Sequence, residues 1–258
     1  VASDGLHRAP HRATAAFALA AALTGCEPSD QTGFGAPILM TGVLTDGPGS
    51  RDPASEAAIA VYDEDFDLID EGTTDAAGRF ELRARAQALV HVQTEGGPDT
   101  IPVTFPGETG TFNEFVVPDG QLWTFPRSEA DAWRTQFAGC PNAEDRSGMV
   151  VGEVRLFLNG ADEDPVEPLA FVRVERDTDG DGVPDETVQA CYLDEDGNYD
   201  PEAQRTGLSA RFGVFGIQGG PWELIVARDT NGGTLVVSQQ VFIPEGGAVV
   251  RLPVFVSL

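Results

Sequence analysis

The feature that most constrains this chain is a rhythm of short runs in which apolar and polar residues alternate, each set behind a cluster of Gly, Asp, Asn or Pro. Ile59 and Val61 alternate with Ala60 and Tyr62, and Phe80, Leu82 and Ala84 alternate with Arg79, Glu81, Arg83 and Arg85. Further on, Val172 and Val174 alternate with Arg173 and Glu175, Trp222, Leu224 and Val226 with Glu223 and Ile225, and Val250, Leu252 and Val254 with Arg251. A period of two sends successive side chains to opposite faces, so these runs predict half-buried strands of a β-sandwich. The fold expected is all-β. One helix interrupts it: Ser128 is placed to cap, Asp131 follows three residues on, and Ala130, Trp133 and Phe137 share one face.

The charge balance narrows the partners. The 258 residues include 42 acids against 16 basic residues, every one of them Arg, for a net charge of −26. A polyanion is repelled by such a surface, which argues against nucleic acid as a partner.

The two halves of the chain echo each other in order. Gly42-Val43 precedes Ala57-Ala58-Ile59-Ala60-Val61 as Gly152-Glu153-Val154 precedes Ala170-Phe171-Val172-Arg173-Val174. Then come Thr74-Asp75-Ala76-Ala77-Gly78-Arg79-Phe80 and Leu193-Asp194-Glu195-Asp196-Gly197-Asn198-Tyr199, acidic turns whose Gly can take positive φ before an aromatic re-enters the core. This progression resembles the carboxypeptidase regulatory-like domain, which implies two transthyretin-like seven-strand sandwiches, at 37–118 and 148–258, and no peptidase chemistry. Residues 119–147 form the connector with its short helix. Another sandwich, immunoglobulin-like for instance, is the competing reading.

The first residues read as an address. Arg8 and Arg12 precede an apolar run from Ala13 to Leu23, which as helix would rise only about 16 Å against roughly 30 Å of hydrocarbon. Leu23-Thr24-Gly25-Cys26 resembles the lipobox of bacterial lipoproteins. That resemblance implies a signal peptide at 1–25, lipidation of Cys26, a polar tether at 26–36 and a membrane partner reached through the lipid, with the outer membrane as the expected destination. Two or three acyl chains anchor durably where one does not. With Cys26 acylated, Cys140 and Cys191 remain to pair in an oxidising compartment, two buried inert thiols being the alternative.

The sharpest local signal is Asp177-Thr178-Asp179-Gly180-Asp181-Gly182-Val183-Pro184-Asp185. Carboxylates at positions 1, 3, 5 and 9 with Gly at 6 follow EF-hand spacing, and the wording resembles a thrombospondin type 3 repeat. The implied Ca²⁺ ligands are Asp177, Asp179, Asp181, the Val183 carbonyl and Asp185. Position 12 is Val188 rather than a bidentate Glu, so the expected affinity falls in the ~10⁻⁴ to 10⁻³ M range of extracellular modules. Glu186 or Asp194 is a candidate to complete the shell. The alternative is a solvated acidic loop.

Little points to catalysis. Beyond the leader His91 is the only histidine, flanked by Val90 and Val92 and expected on a surface or sheet face. There is no Lys, no Gly-x-Ser-x-Gly elbow and no Walker loop. The reading is a non-enzymatic envelope lipoprotein with a structural or binding role, its partner an envelope protein or polysaccharide. The alternatives are a carbohydrate-binding module, with Trp123 and Trp133 as an exposed aromatic pair, and an accessory domain of an envelope hydrolase.

Overall fold

A computed structural model describes residues 35–110, 114–157, 170–207, 209–230 and 233–257. The signal, Cys26 and most of the tether lie outside these residues. The first half supplies β1 (Pro37–Asp46), β2 (Ala58–Tyr62), β3 (Leu68–Thr73), β4 (Arg79–Arg85), β5 (Leu89–Thr94), β6 (Thr100–Ile101), β7 (Val103–Glu108), β8 (Glu114–Val116) and β9 (Leu122–Pro126). Helix α1 (Arg127–Gln136) comes next. The second half supplies β10 (Met149–Phe157), β11 (Ala170–Arg176), β12 (Glu186–Gln189), β13 (Cys191–Tyr192), β14 (Arg211–Phe215), β15 (Gly220–Thr230), β16 (Gly233–Ile243) and β17 (Ala248–Ser257).

Both halves share one pairing plan. In the first, β1 pairs antiparallel with β4 and parallel with β8 and β9, while β3, β2, β5 and β7 form an antiparallel layer. In the second, β10 pairs antiparallel with β14 and parallel with β17, while β12, β11, β15 and β16 form the facing layer. The layers then merge. β17 runs parallel to β7 at Ala248 opposite Val103 and Val249 opposite Thr104, giving one eight-stranded sheet, β13-β14-β10-β17-β7-β5-β2-β3. The described residues belong to a single compact unit.

Alternation decides burial where a strand has one wet face. β4 alternates strictly, with Phe80, Leu82 and Ala84 inside and its four charged residues outside. In β11, Val172 and Val174 are fully buried between partly exposed neighbours. β15 departs from the pattern: Ile225 is buried along with Trp222, Leu224 and Val226. β17 is likewise buried at the consecutive Val249 and Val250; side chains beyond Val250 lie outside the described residues. A strand enclosed on both faces no longer alternates.

His91 corrects the expectation of a surface position. It is 0% exposed, because β5 lies inside the eight-stranded sheet and is covered on both faces. Phe66 packs on its ring at 4.6 Å between centroids and meets Phe242 of β16 at 5.3 Å.

The echoed turns form the same hydrogen bonds. Asp75 N–H donates to Arg79 O and Gly78 N–H to Asp75 O; Asp194 N–H donates to Asn198 O and Gly197 N–H to Asp194 O. Past the turns the two halves diverge. Phe80 lies directly opposite Gly42, where a Cβ would sit 2.8 Å from its Cζ. The residue opposite Gly152 is Phe212, not Tyr199. The chain between residues 200 and 210 separates turn from strand, and Tyr199 N–H bonds Gln136 O at the end of α1 instead.

The helix also starts differently from expectation. Ser128 lies inside it; the N-cap is Pro126, with φ −56° and no side-chain cap. Pro126 ends β9 with an extended ψ of 136°, and Arg127 N–H finds Asp99 O at 2.8 Å, so an otherwise unpartnered amide is satisfied by backbone. Trp133 packs edge-on to Phe125 of β9 at 5.9 Å, and Phe137 packs on Phe215 of β14 at 5.1 Å. The helix thus touches both halves. Just beyond it, Cys140 is disulfide-bonded to Cys191, with Cα atoms 6.1 Å apart.

Candidate metal centre

The acidic loop, 177–185, closes the β11–β12 hairpin. Arg176 pairs with Glu186, and Asp185 N–H donates to Arg176 O at 2.9 Å, so the ladder brings the two ends of the loop together. Gly180 and Gly182 adopt φ of 74° and 84°, which turns their amides towards Asp177. Gly180 N–H donates to Asp177 Oδ1 and Gly182 N–H to Asp177 Oδ2, both at 2.7 Å. Asp181 N–H donates to Asp179 Oδ1 at 3.1 Å and Val183 N–H to Asp181 Oδ1 at 2.8 Å. Thr178 holds the far end, its hydroxyl and its N–H both donating to Asp185 Oδ2.

These bonds gather Asp177, Asp179 and Asp185 so that one carboxylate oxygen of each lies within 4.8 Å of the others. It is the one such group of three or more His, Cys, Asp or Glu among the described residues. Asp181 stands outside the trio, as do Glu186, Asp194 and the acids of the 194–200 turn. Val188 sits in β12 opposite Val174, so the twelfth position is spent on the ladder. All three trio residues are exposed. The Gly182 amide, then that of Gly180, holds the Asp177 carboxyl below the usual carboxylate range. The Thr178 hydroxyl, then its N–H, does the same for Asp185. The loop therefore presents ionised oxygens in a fixed frame, a donor set suited to a hard divalent cation. Spacing alone does not reveal Thr178: its role depends on the hairpin register that brings position 2 against position 9.

The other candidate sites come out differently. Trp123 is only 6% exposed and stands edge-on to Phe105 at 4.9 Å. Trp133 is half-buried, with Nε1–H donating to Glu129 Oε1 at 2.8 Å. The exposed pair of Trp123 and Trp133 that the carbohydrate-binding alternative needs is not formed. His91, inside the sheet, cannot exchange a proton with a diffusing substrate, and no catalytic constellation is assembled among the described residues. No helix among them is long and apolar enough to cross a membrane.

No family model and no curated protein matches the chain. Among solved structures it is similar to the Bacillus anthracis TIE protein, at TM-score 0.26 and 12% identity, over 84% of this chain and 34% of that one. The chain thus spans about a third of that protein's length. It is also similar to GBS52, the minor pilin of Streptococcus agalactiae, at TM-score 0.25 and 13% identity over 85% and 95% of the two chains. A putative cell adhesion protein from Bacteroides fragilis aligns at TM-score 0.25 and 7% identity over 85% and 93%. At such scores these likenesses carry no functional argument.

Proposed function

We propose that the chain is a cell-envelope lipoprotein, held at the membrane by acylated Cys26, whose two sandwiches of carboxypeptidase regulatory-like type serve as a rigid display or binding scaffold. The observation that carries this reading is the Cys140–Cys191 bridge, which leaves Cys26, the cysteine of the lipobox-like quartet, as the one not in the bridge. The shared sheet and the helix against both halves favour a stiff spacer over two beads on a string. An envelope protein or polysaccharide is the partner this role calls for.

Calcium belongs to the same reading. Asp177, Asp179 and Asp185 would bind Ca²⁺ directly, with Asp181 and the Val183 carbonyl joining once the cation draws them in. The ion's part is to hold the β11–β12 hairpin, since a hard closed-shell cation on an exposed loop supplies no redox chemistry. Intact mass spectrometry of the membrane fraction tests the anchor: a chain beginning at acylated Cys26 is expected, and an unacylated chain that retains residues before Cys26 overturns it. Calorimetric titration tests the metal, with saturable heat expected at millimolar calcium and none from Asp177→Asn.

A further inference from the structure

The eight-stranded sheet is not evenly zipped. β7 pairs with β5 from Val103 to Glu108 but meets β17 only at Val103 and Thr104, after which β17 departs along β10. A cavity of about 980 Å³ opens at this split. That lies at the upper end of the volumes that hold drug-sized ligands, roughly 300 to 1,000 Å³. Its floor is apolar and buried, formed by Met40, Val90, Val92, Phe105, Leu122 and Trp123. Its exposed mouth carries Glu64, Asp65 and Glu108, and no arginine is among the described lining residues.

One wall is Val237, Ser238, Gln239 and Gln240 of β16. Consecutive strand residues point to opposite faces, so a cavity that touches four in a row meets the strand along its backbone edge. Among the described strands β16 is paired with β15 alone, which leaves that edge open. Two residues that line the same space, Trp123 and Gln239, each carry a buried side-chain donor, Nε1 and Nε2, without an acceptor among the described residues. Buried donors of this kind ordinarily find an acceptor.

We propose that this cleft takes an extended peptide segment of another protein, one that alternates apolar residues with arginine or lysine and adds to the open edge of β16. Main-chain bonds to β16 supply affinity, while alternate apolar side chains enter the cavity. The basic residues meet the three carboxylates at the mouth. Charge selects against a second copy of this chain, whose net charge is −26. The inference deepens the binding role proposed above and rests on it, but its failure leaves the acylation and calcium readouts untouched.

The test is fluorescence anisotropy of the full chain with a fluorescein-labelled decapeptide alternating valine and arginine. Two controls accompany it: the same peptide N-methylated on alternate amides, and one with glutamate in place of arginine. Saturable micromolar binding is expected, at least tenfold weaker for the N-methylated peptide and absent for the glutamate peptide. Ser238→Pro, which disrupts the β16 edge, should weaken binding to a similar degree, and Glu108→Gln severalfold. Equal affinity for the N-methylated peptide reports charge attraction alone and overturns the proposal, as does the lack of saturable binding up to ~1 mM. The N-methyl arm decides the matter even if Ser238→Pro fails to fold.

Discussion

The same hairpin is closed in two ways. Between β2 and β3 the chain turns in five residues, Asp63 to Asp67, with Asp63 Oδ1 accepting from Asp65 and Asp67 amides while Phe66 folds inward against His91 and Phe242. Between β11 and β12 nine residues turn outward, and the bonds around Asp177 gather carboxylates at the surface instead of covering the sheet. One scaffold position thus serves packing in the first half and gathers exposed carboxylates in the second. The difference lies in loop length and in the side chain at the tip, not in the ladder that carries it.

That contrast can be broken from either side. The largest effect is expected where the connector is stapled to the second half. The Cys140–Cys191 bridge spans 51 residues, and replacing both with Ser should cost on the order of 4 kcal/mol in the chain-entropy model, read as a lowered midpoint in urea. Next, Phe66→Ala removes the ring that covers His91 and should cost about 1 to 3 kcal/mol, whereas Val183→Ala at the exposed tip of the other loop should cost nothing measurable. Equal costs at the two tips would erase the distinction. Gly42→Ala, whose Cβ would crowd Phe80, should cost a comparable 1 to 3 kcal/mol, roughly, by overpacking.

Calcium should act on one half only. At a tenfold excess over its dissociation constant the ion should raise stability by about 1.4 kcal/mol, a gain lost in Asp177→Asn and unchanged in Asp63→Asn. The smallest effect is acid sensitivity. Asp177 and Asp185 are held low by the Gly182 amide and the Thr178 hydroxyl, and in the first half Asp75 is held low by the Arg79 amide. A depressed folded value means that the stability each contributes is complete above its unfolded value of 3.8 and disappears as pH falls through the folded one. Thermal melts without calcium should therefore be insensitive to these groups near neutrality and shift downward only below pH ~4.

Much of the fold was legible in the sequence because it rests on local periodicity. Strict alternation in β4 and β11 fixes which face is buried, and the Asp-Gly spacing of 177–185 fixes the loop. The echoed halves share a pairing plan, and within it Gly42 of β1 and Gly152 of β10 each stand opposite a Phe. The rest depends on contacts distant in sequence. Nothing near His91 announces that Phe66 will cover its ring and meet Phe242 of β16, and nothing near Val103 announces that β17 will pair there for two residues and leave. Ser128 reads as a cap because its spacing fits one, yet the Arg127 N–H donates a hydrogen bond to Asp99 O, nearly thirty residues back, and the helix starts without that cap. Tyr199 matches Phe80 by motif, but the chain after it displaces the strand, so Phe212 takes that place.

Amide hydrogen exchange with and without calcium asks most directly whether two like scaffolds have been given different tasks. The account predicts that millimolar calcium slows exchange across 170–189 and leaves 58–73 unchanged. Equal protection of both hairpins, or of neither, would contradict it.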